Sequence, residues 1–326
     1  MMASWQQFLQ PFNLNETPTI HGNVVADLST YLGLIKVSGA DAAAFLQGQF
    51  TNDVHQVTPT QSQLSAWCTP KGRILVNFRL FLREDSYYLL LPQASIEATL
   101  KRLRLYVLRA QVTLEVVPLI AIGLAGEQSA ELLTSCVDIP LPATADASIT
   151  ERPFTVLQLA GRYLIVAEAQ PLHTLWSCLA AQATPVTAAS WQLLDILAGM
   201  PQIVPETADT FAPQMLNWQL LGGVNFKKGC YSGQEIVARL HYLGNLKQRL
   251  YLAQMDSTVL PAAGTALYVN DSEHSVGQIM NAQIHPDGGI RLLAVLNIQT
   301  VARQAPIVDP QGISLHILPL PYVVDS

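Results

Sequence analysis

The sequence predicts an α+β protein that ends in a small antiparallel β-barrel. Three observations carry that prediction. Half of the 326 residues are hydrophobic and only 13% are charged, which suits a compact chain with substantial cores and room for two or three domains. Helical and strand periodicities are mixed through residues 1–246. After Lys247 the chain turns into short β-rich runs separated by turn residues, the pattern of a closed barrel. The expected division is a first α+β segment over 1–118, a second over 119–246 and the barrel over 247–326.

The elements follow in order. Leu34 to Val37 reads as a strand, and Gly39 and Asp41 lead into a short helix through Ala42, Phe45 and Leu46. Residues 74–82 and 87–91 alternate around the turn Glu84-Asp85-Ser86, a hairpin. Residues 93–109 form the longest helical candidate, with Ile96, Leu100, Leu103 and Val107 on one face. A strand over 112–117 closes the first segment. The second segment repeats this grammar, without a sequence repeat, from a strand near Ala121 through a helix at 131–136 to a strand at 163–167 and a helix at 172–181. A helix over 190–198 ends at Gly199, with Pro201 beyond it. The barrel runs are 250–253, 266–269, 276–284, 290–296 and 314–318, punctuated by Asn270-Asp271, Pro286-Asp287-Gly288-Gly289 and Pro310-Gln311-Gly312.

Charge and cysteine content narrow the function. A net charge of −6 argues against a large nucleic-acid surface, so no direct nucleic-acid partner is expected. Lys101, Arg102, Arg104 and Arg109 crowd one helix as a solvated face. No apolar run approaches a membrane span, and the first residues lack the basic region and apolar core of a signal peptide. Cys68, Cys136, Cys178 and Cys230 stand far apart with no metal-ligand spacing, so no metal is expected. Disulfides remain open, but a reducing cytoplasm fits better.

The most informative stretch is Lys227-Lys228-Gly229-Cys230-Tyr231-Ser232-Gly233-Gln234-Glu235. Ser232 and Glu235 have capping-box spacing, and the apolar positions Ile236, Val237 and Leu240 continue as a helix. Cys230 would then lie near unpaired N–H groups, a helix dipole and two ammonium groups, conditions that favour a thiolate. Two readings compete: a reactive or ligand-binding thiol, and a small buried hydrophobe. Glu235 is explained by the cap alone.

The motif and its companions resemble the YgfZ family, within the superfamily of the glycine-cleavage T protein, over almost the whole chain. The companions include Phe211-Ala212-Pro213-Gln214, Leu221-Gly222-Gly223-Val224, Cys68-Thr69-Pro70-Lys71-Gly72-Arg73, Ala198-Gly199-Met200-Pro201 and Leu318-Pro319-Leu320-Pro321-Tyr322. The resemblance implies a folate-binding fold of two α+β segments and a C-terminal barrel around a central cavity. It implies tetrahydrofolate, or a one-carbon derivative, as cofactor. It also implies a cytoplasmic auxiliary role for iron–sulfur cluster assembly or repair, with iron–sulfur enzymes such as tRNA methylthiotransferases as indirect partners in tRNA modification.

Carried over residue by residue, Cys230 is the expected functional thiol. Trp191 matches a folate-associated tryptophan, although on its helix it shares a face with Leu194 and Ala198 and suits a core equally. The aromatic expected in the first strand region is Leu32 here, with Tyr31 beside it. Gln214 replaces a folate-contacting glutamate, and its amide can still pair with a pterin edge. Lys228, Tyr231, Glu235 and Arg239 complete the candidate cofactor residues; Arg239, four residues after Glu235 on the same helix face, is expected to pair with Glu235 in preference to meeting a folate glutamate tail. The alternative function, a folate-dependent aminomethyl-type transferase, needs a carboxylate where this chain has Val76 and Asn77, and an asparagine cannot act as that base.

Overall fold

The computed structural model describes residues 2–270 and 272–324. The chain folds into two compact units that interleave in sequence. The first comprises Met1–Gly48, Asp53–Leu64 and Phe78–Trp191, and the second comprises Gln49–Asn52, Ser65–Asn77 and Gln192–Ser326. The fold is mixed α+β with a closed C-terminal barrel, as the periodicities predict.

In the first unit a six-stranded sheet runs in the order Thr184–Val186, Val24–Asp27, Ile120–Ala125, Arg162–Ala167, Phe154–Leu159, Ser148–Glu151. Only Thr184–Val186 pairs parallel to its neighbour. Strand alternation sends Ile120, Ile122 and Leu124 to one face, where they pack with Trp5, Leu172 and Trp176 of the helices Met2–Leu9 and Ala169–Ala180. The buried Asp27 carboxylate is satisfied there, accepting from Trp5 Nε1 at 3.0 Å and Gln6 Nε2 at 3.0 Å. Gly123 points to the opposite face. A Cβ there would lie 2.3 Å from the Trp191 ring, so the absent side chain makes room for the indole.

A five-stranded sheet has the order Gln63–Cys68, Ile74–Arg83, Ser86–Pro92, Leu32–Ser38, Thr113–Val116. The predicted hairpin turns on Glu84, which takes a left-handed conformation. The edge strand Thr113–Val116 is blunted by Arg104, whose guanidinium donates to Leu114 O at 2.9 Å. The long helix is shorter than its periodicity suggests. A 3-10 turn occupies Gln93–Ser95, the α-helix covers Ile96–Val107, and Leu108 ends it with φ 46°.

The barrel, wholly in the second unit, closes in the order Gln248–Met255, Ile290–Asn297, Ser275–Ile284, Ala266–Val269, Ile307–Val308, Ser314–Leu318. Its interior is built by alternation: Leu292, Ala294 and Leu296 face in, with Ile279, Leu267 and Ala253 from neighbouring strands. Of the predicted turn Asn270-Asp271, Asp271 lies outside the described residues.

Several elements correct the sequence reading. Strands Val24–Asp27, Gln63–Cys68, Thr184–Val186 and Ile307–Val308 carry no legible pattern, being short or buried on both faces. The cysteines are not all isolated. Cys136 and Cys178 form a disulfide that joins the helices Ser129–Cys136 and Ala169–Ala180 across 42 residues, which leaves Cys68 and Cys230 as free thiols. No helix among the described residues is long and apolar enough to cross a membrane.

Candidate functional site

The motif wraps the start of the helix Gln234–Tyr242. The expected capping box does not form: the N-cap is Gly233, with φ 82°, and no side chain caps the helix. A left-handed turn is needed at Gly233 because the chain reverses against the loop after Cys68. A Cβ on Gly233 would lie 2.3 Å from Thr69 O, and one on Gly72 would lie 2.9 Å from Ile236 Cβ. Two glycines facing each other thus set how closely the Thr69–Gly72 loop approaches the helix.

Within the motif, neighbouring residues take opposite fates. Lys228 is buried, and its Nζ donates to Phe50 O at 2.6 Å and Asn52 O at 3.0 Å while lying 5.1 Å from the centroid of the Tyr231 ring. The segment it holds is also tied to the Gly222-Gly223 turn, by Thr51 Oγ1 to Gly223 O at 2.7 Å and Asn52 Nδ2 to Gly222 O at 2.7 Å. Tyr231 is buried too, and burial, reinforced by the neighbouring Cys68, holds its hydroxyl well above the ordinary tyrosine range. Cys68 is a fully buried thiol, pushed far up by desolvation. Cys230, Glu235 and Arg239, by contrast, are exposed. Glu235 and Arg239 form no ion pair with each other in the described residues.

Gln214 is buried beneath the same helix. Its Nε2 donates to Val237 O at 2.6 Å, while its Oε1 is buried without a hydrogen-bond partner in the described structure. An acceptor stranded in this way costs about 1–3 kcal/mol unless something donates to it. Asn77 is the reverse case. Its Nδ2 donates to Pro201 O at 2.8 Å, and its Oδ1 accepts from Ile203 N at 2.8 Å and Gln202 Nε2 at 3.0 Å. Both ends of that amide are committed to holding the Pro201–Ile203 loop. Gly199, just before it, accepts at its carbonyl from Tyr322 Oη at 2.9 Å.

Trp191, Leu32 and Tyr31 belong to the first unit. Trp191 is 2% exposed, packed over Gly123 and beneath the Arg162 guanidinium, 4.5 Å from its ring. Leu32 is buried at the start of the strand Leu32–Ser38, and the Tyr31 backbone turns back to Leu28 O and accepts from Gln93 N. Sequence reasoning missed two features of the motif region. One is Cys68 as neighbour of Tyr231, which no spacing could reveal. The other is Phe226, which stacks on His241 at 3.8 Å and was hidden because the residues belong to different elements.

The comparisons agree with this architecture. The chain matches the GCVT N-terminal domain family over residues 6–168, half of its length, and belongs to that family. It is similar to the glycine cleavage system aminomethyltransferase T from Bartonella henselae, at 18% identity over 97% of this chain and 89% of that one, with a TM-score of 0.76. The two share a fold. A heterotetrameric sarcosine oxidase from Corynebacterium sp. U-96, in complex with pyrrole 2-carboxylate, matches 55% of this chain and 90% of that one at 12% identity, with a TM-score of 0.37.

Proposed function

We propose that the protein is a folate-binding auxiliary protein of the YgfZ type, which supports iron–sulfur enzymes and through them tRNA methylthiolation, with Cys230 as its working thiol. The observation that carries the folate reading is Gln214. Its stranded, buried Oε1 is an acceptor matched to a pterin N–H, in a fold shared with an aminomethyltransferase. Tetrahydrofolate, when bound, would supply a reduced pterin and a site for one-carbon units. Gln214 would orient the pterin edge. The chain would comprise an α+β segment over 1–118, a second over 119–246 that carries the motif, and the barrel over 247–326.

Asn77 weighs against the transferase alternative. It stands where that chemistry asks for a carboxylate, and its amide is spent on the Pro201–Ile203 loop. The thiol reading rests on Cys230 being exposed while Cys68 is sealed.

The test is an anaerobic calorimetric titration with tetrahydrofolate. Wild type is expected to bind saturably, and Gln214→Ala to bind about tenfold more weakly, the loss of one buried hydrogen bond. Absence of binding by a folded wild type would remove the folate reading and leave the thiol to be tested alone.

A further inference from the structure

The surface around the motif differs in charge from the rest of the chain. The molecule carries 24 acidic against 18 basic residues, yet between Asp209 and Asp256 the only carboxylate is Glu235, against Lys227, Lys228, Arg239, Lys247 and Arg249. Lys228 is turned inward, while Lys227, Arg239, His241 and Lys247 are exposed, as is Lys71 in the loop that meets Ile236. A local positive field on an acidic protein is oriented, because the remainder of the molecule repels what the patch attracts.

The same helix and its C-cap residue Leu243 also expose apolar side chains. Ile236 is 43% exposed, Tyr242 65% and Leu243 83%. Their spacing is fixed by the protein behind them. Phe226 stacks on His241 at 3.8 Å near the end of the helix, and Gln234 Nε2 reaches Gly229 O at 3.5 Å at its start. The segment from Phe226 to Gly229 therefore lies along the helix, antiparallel to it. Cys230 emerges at one end of this face and Leu243 at the other, separated by a nine-residue helix of roughly 14 Å.

We infer that this face is the docking surface for an acidic protein partner, which it seats with the thiol of Cys230 at its margin. The inference rests on the proposed role of Cys230 and names the class of partner that the thiol meets. Positive charge selects an acidic partner, Tyr242 is an aromatic anchor of the kind enriched at interface hot spots, and Leu243 and Ile236 add exposed apolar area beside it. A single-stranded RNA is the lesser fit. Its bases need successive open aromatic faces, and here Phe226 and His241 cover one another, so the face offers one well-exposed ring, Tyr242, beside the aliphatic Ile236 and Leu243.

The test uses peptides of one length carrying a cysteine blocked as the mixed disulfide with nitrothiobenzoate: one acidic and leucine-rich, one neutral, one basic. The Cys230 thiolate attacks the peptide sulfur and forms a protein–peptide disulfide. The peptide–nitrothiobenzoate bond breaks, and the coloured thiolate leaves with the electron pair. Cys68 is buried and does not compete. At low salt the acidic peptide is expected to react at least about tenfold faster than the basic one, with the ratio falling as salt rises. Lys227→Glu should reduce that ratio, and Leu243→Ser should slow the acidic peptide without changing the rate with the small free reagent. Equal rates for all three peptides, or rates indifferent to both variants, would overturn the inference. So would stronger protection of Cys230 by an RNA oligonucleotide than by an unblocked acidic peptide. Binding of the unblocked peptides, followed by fluorescence anisotropy, separates the two readings. Selective binding with an inert thiol would sink the role of Cys230 and spare the surface, whereas a reactive thiol with no selectivity would do the opposite.

Discussion

Lys228 and Cys230 are two positions apart, and the structure treats them as opposites. Lys228 reaches inward and satisfies two backbone carbonyls of the Phe50–Asn52 segment, and Tyr231 packs beneath its ammonium. Cys230 reaches outward and helps hold nothing together. A dense motif is therefore not a single site. Lys228 and Tyr231 are an anchor that fixes the backbone, and Cys230 is what the anchor presents.

That contrast can be broken by substitution. Lys228→Ala should be the most damaging change in the motif, because it removes two charge-assisted hydrogen bonds and strands two carbonyls. A loss of about 3 kcal/mol in urea unfolding is expected. Cys230→Ala should alter stability by less than about 0.5 kcal/mol, as for other exposed positions, while abolishing support of methylthiolation in cells. A Cys230→Ala protein that unfolds as easily as Lys228→Ala would erase the distinction between anchor and presented group. Full methylthiolation by a folded Cys230→Ala protein would remove the thiol role.

The two free thiols sharpen the comparison through pH. Burial raises the Cys68 pKa above its value in the unfolded chain, about 8.5, so the folded state holds its proton more tightly. The resulting stability is complete below that unfolded value and is lost as pH rises above it. Tyr231, raised in the same direction, adds to the loss once pH passes about 10. Unfolding midpoints should therefore decline between about pH 8.5 and 10.5, and Cys68→Ala should flatten the first part of that decline. An unchanged slope in Cys68→Ala would mean that the thiol is not sealed.

Much of this fold is legible in the sequence. The barrel strands, the Glu84 hairpin and the Gly199 stop are local features, since alternation, turn residues and a left-handed glycine act within a few residues. The motif stood out in the same way. What could not be read depended on partners distant in sequence. The Ser232–Glu235 spacing satisfies a capping box, but contact between Gly233 and the Thr69 carbonyl imposes a left-handed turn instead. Cys136 and Cys178 looked like separate thiols until packing of their helices joined them. Asn77 and Gln214 are both amides in positions that resemble carboxylate sites, and only their surroundings separate a fully bonded clamp from a stranded acceptor. By itself the sequence determined the fold class and the barrel, because periodicity and turn chemistry are local. Tertiary structure alone decided which motif side chains turn inward, because burial depends on segments such as Phe50–Asn52 and Cys68–Gly72 that lie more than 150 residues away along the chain.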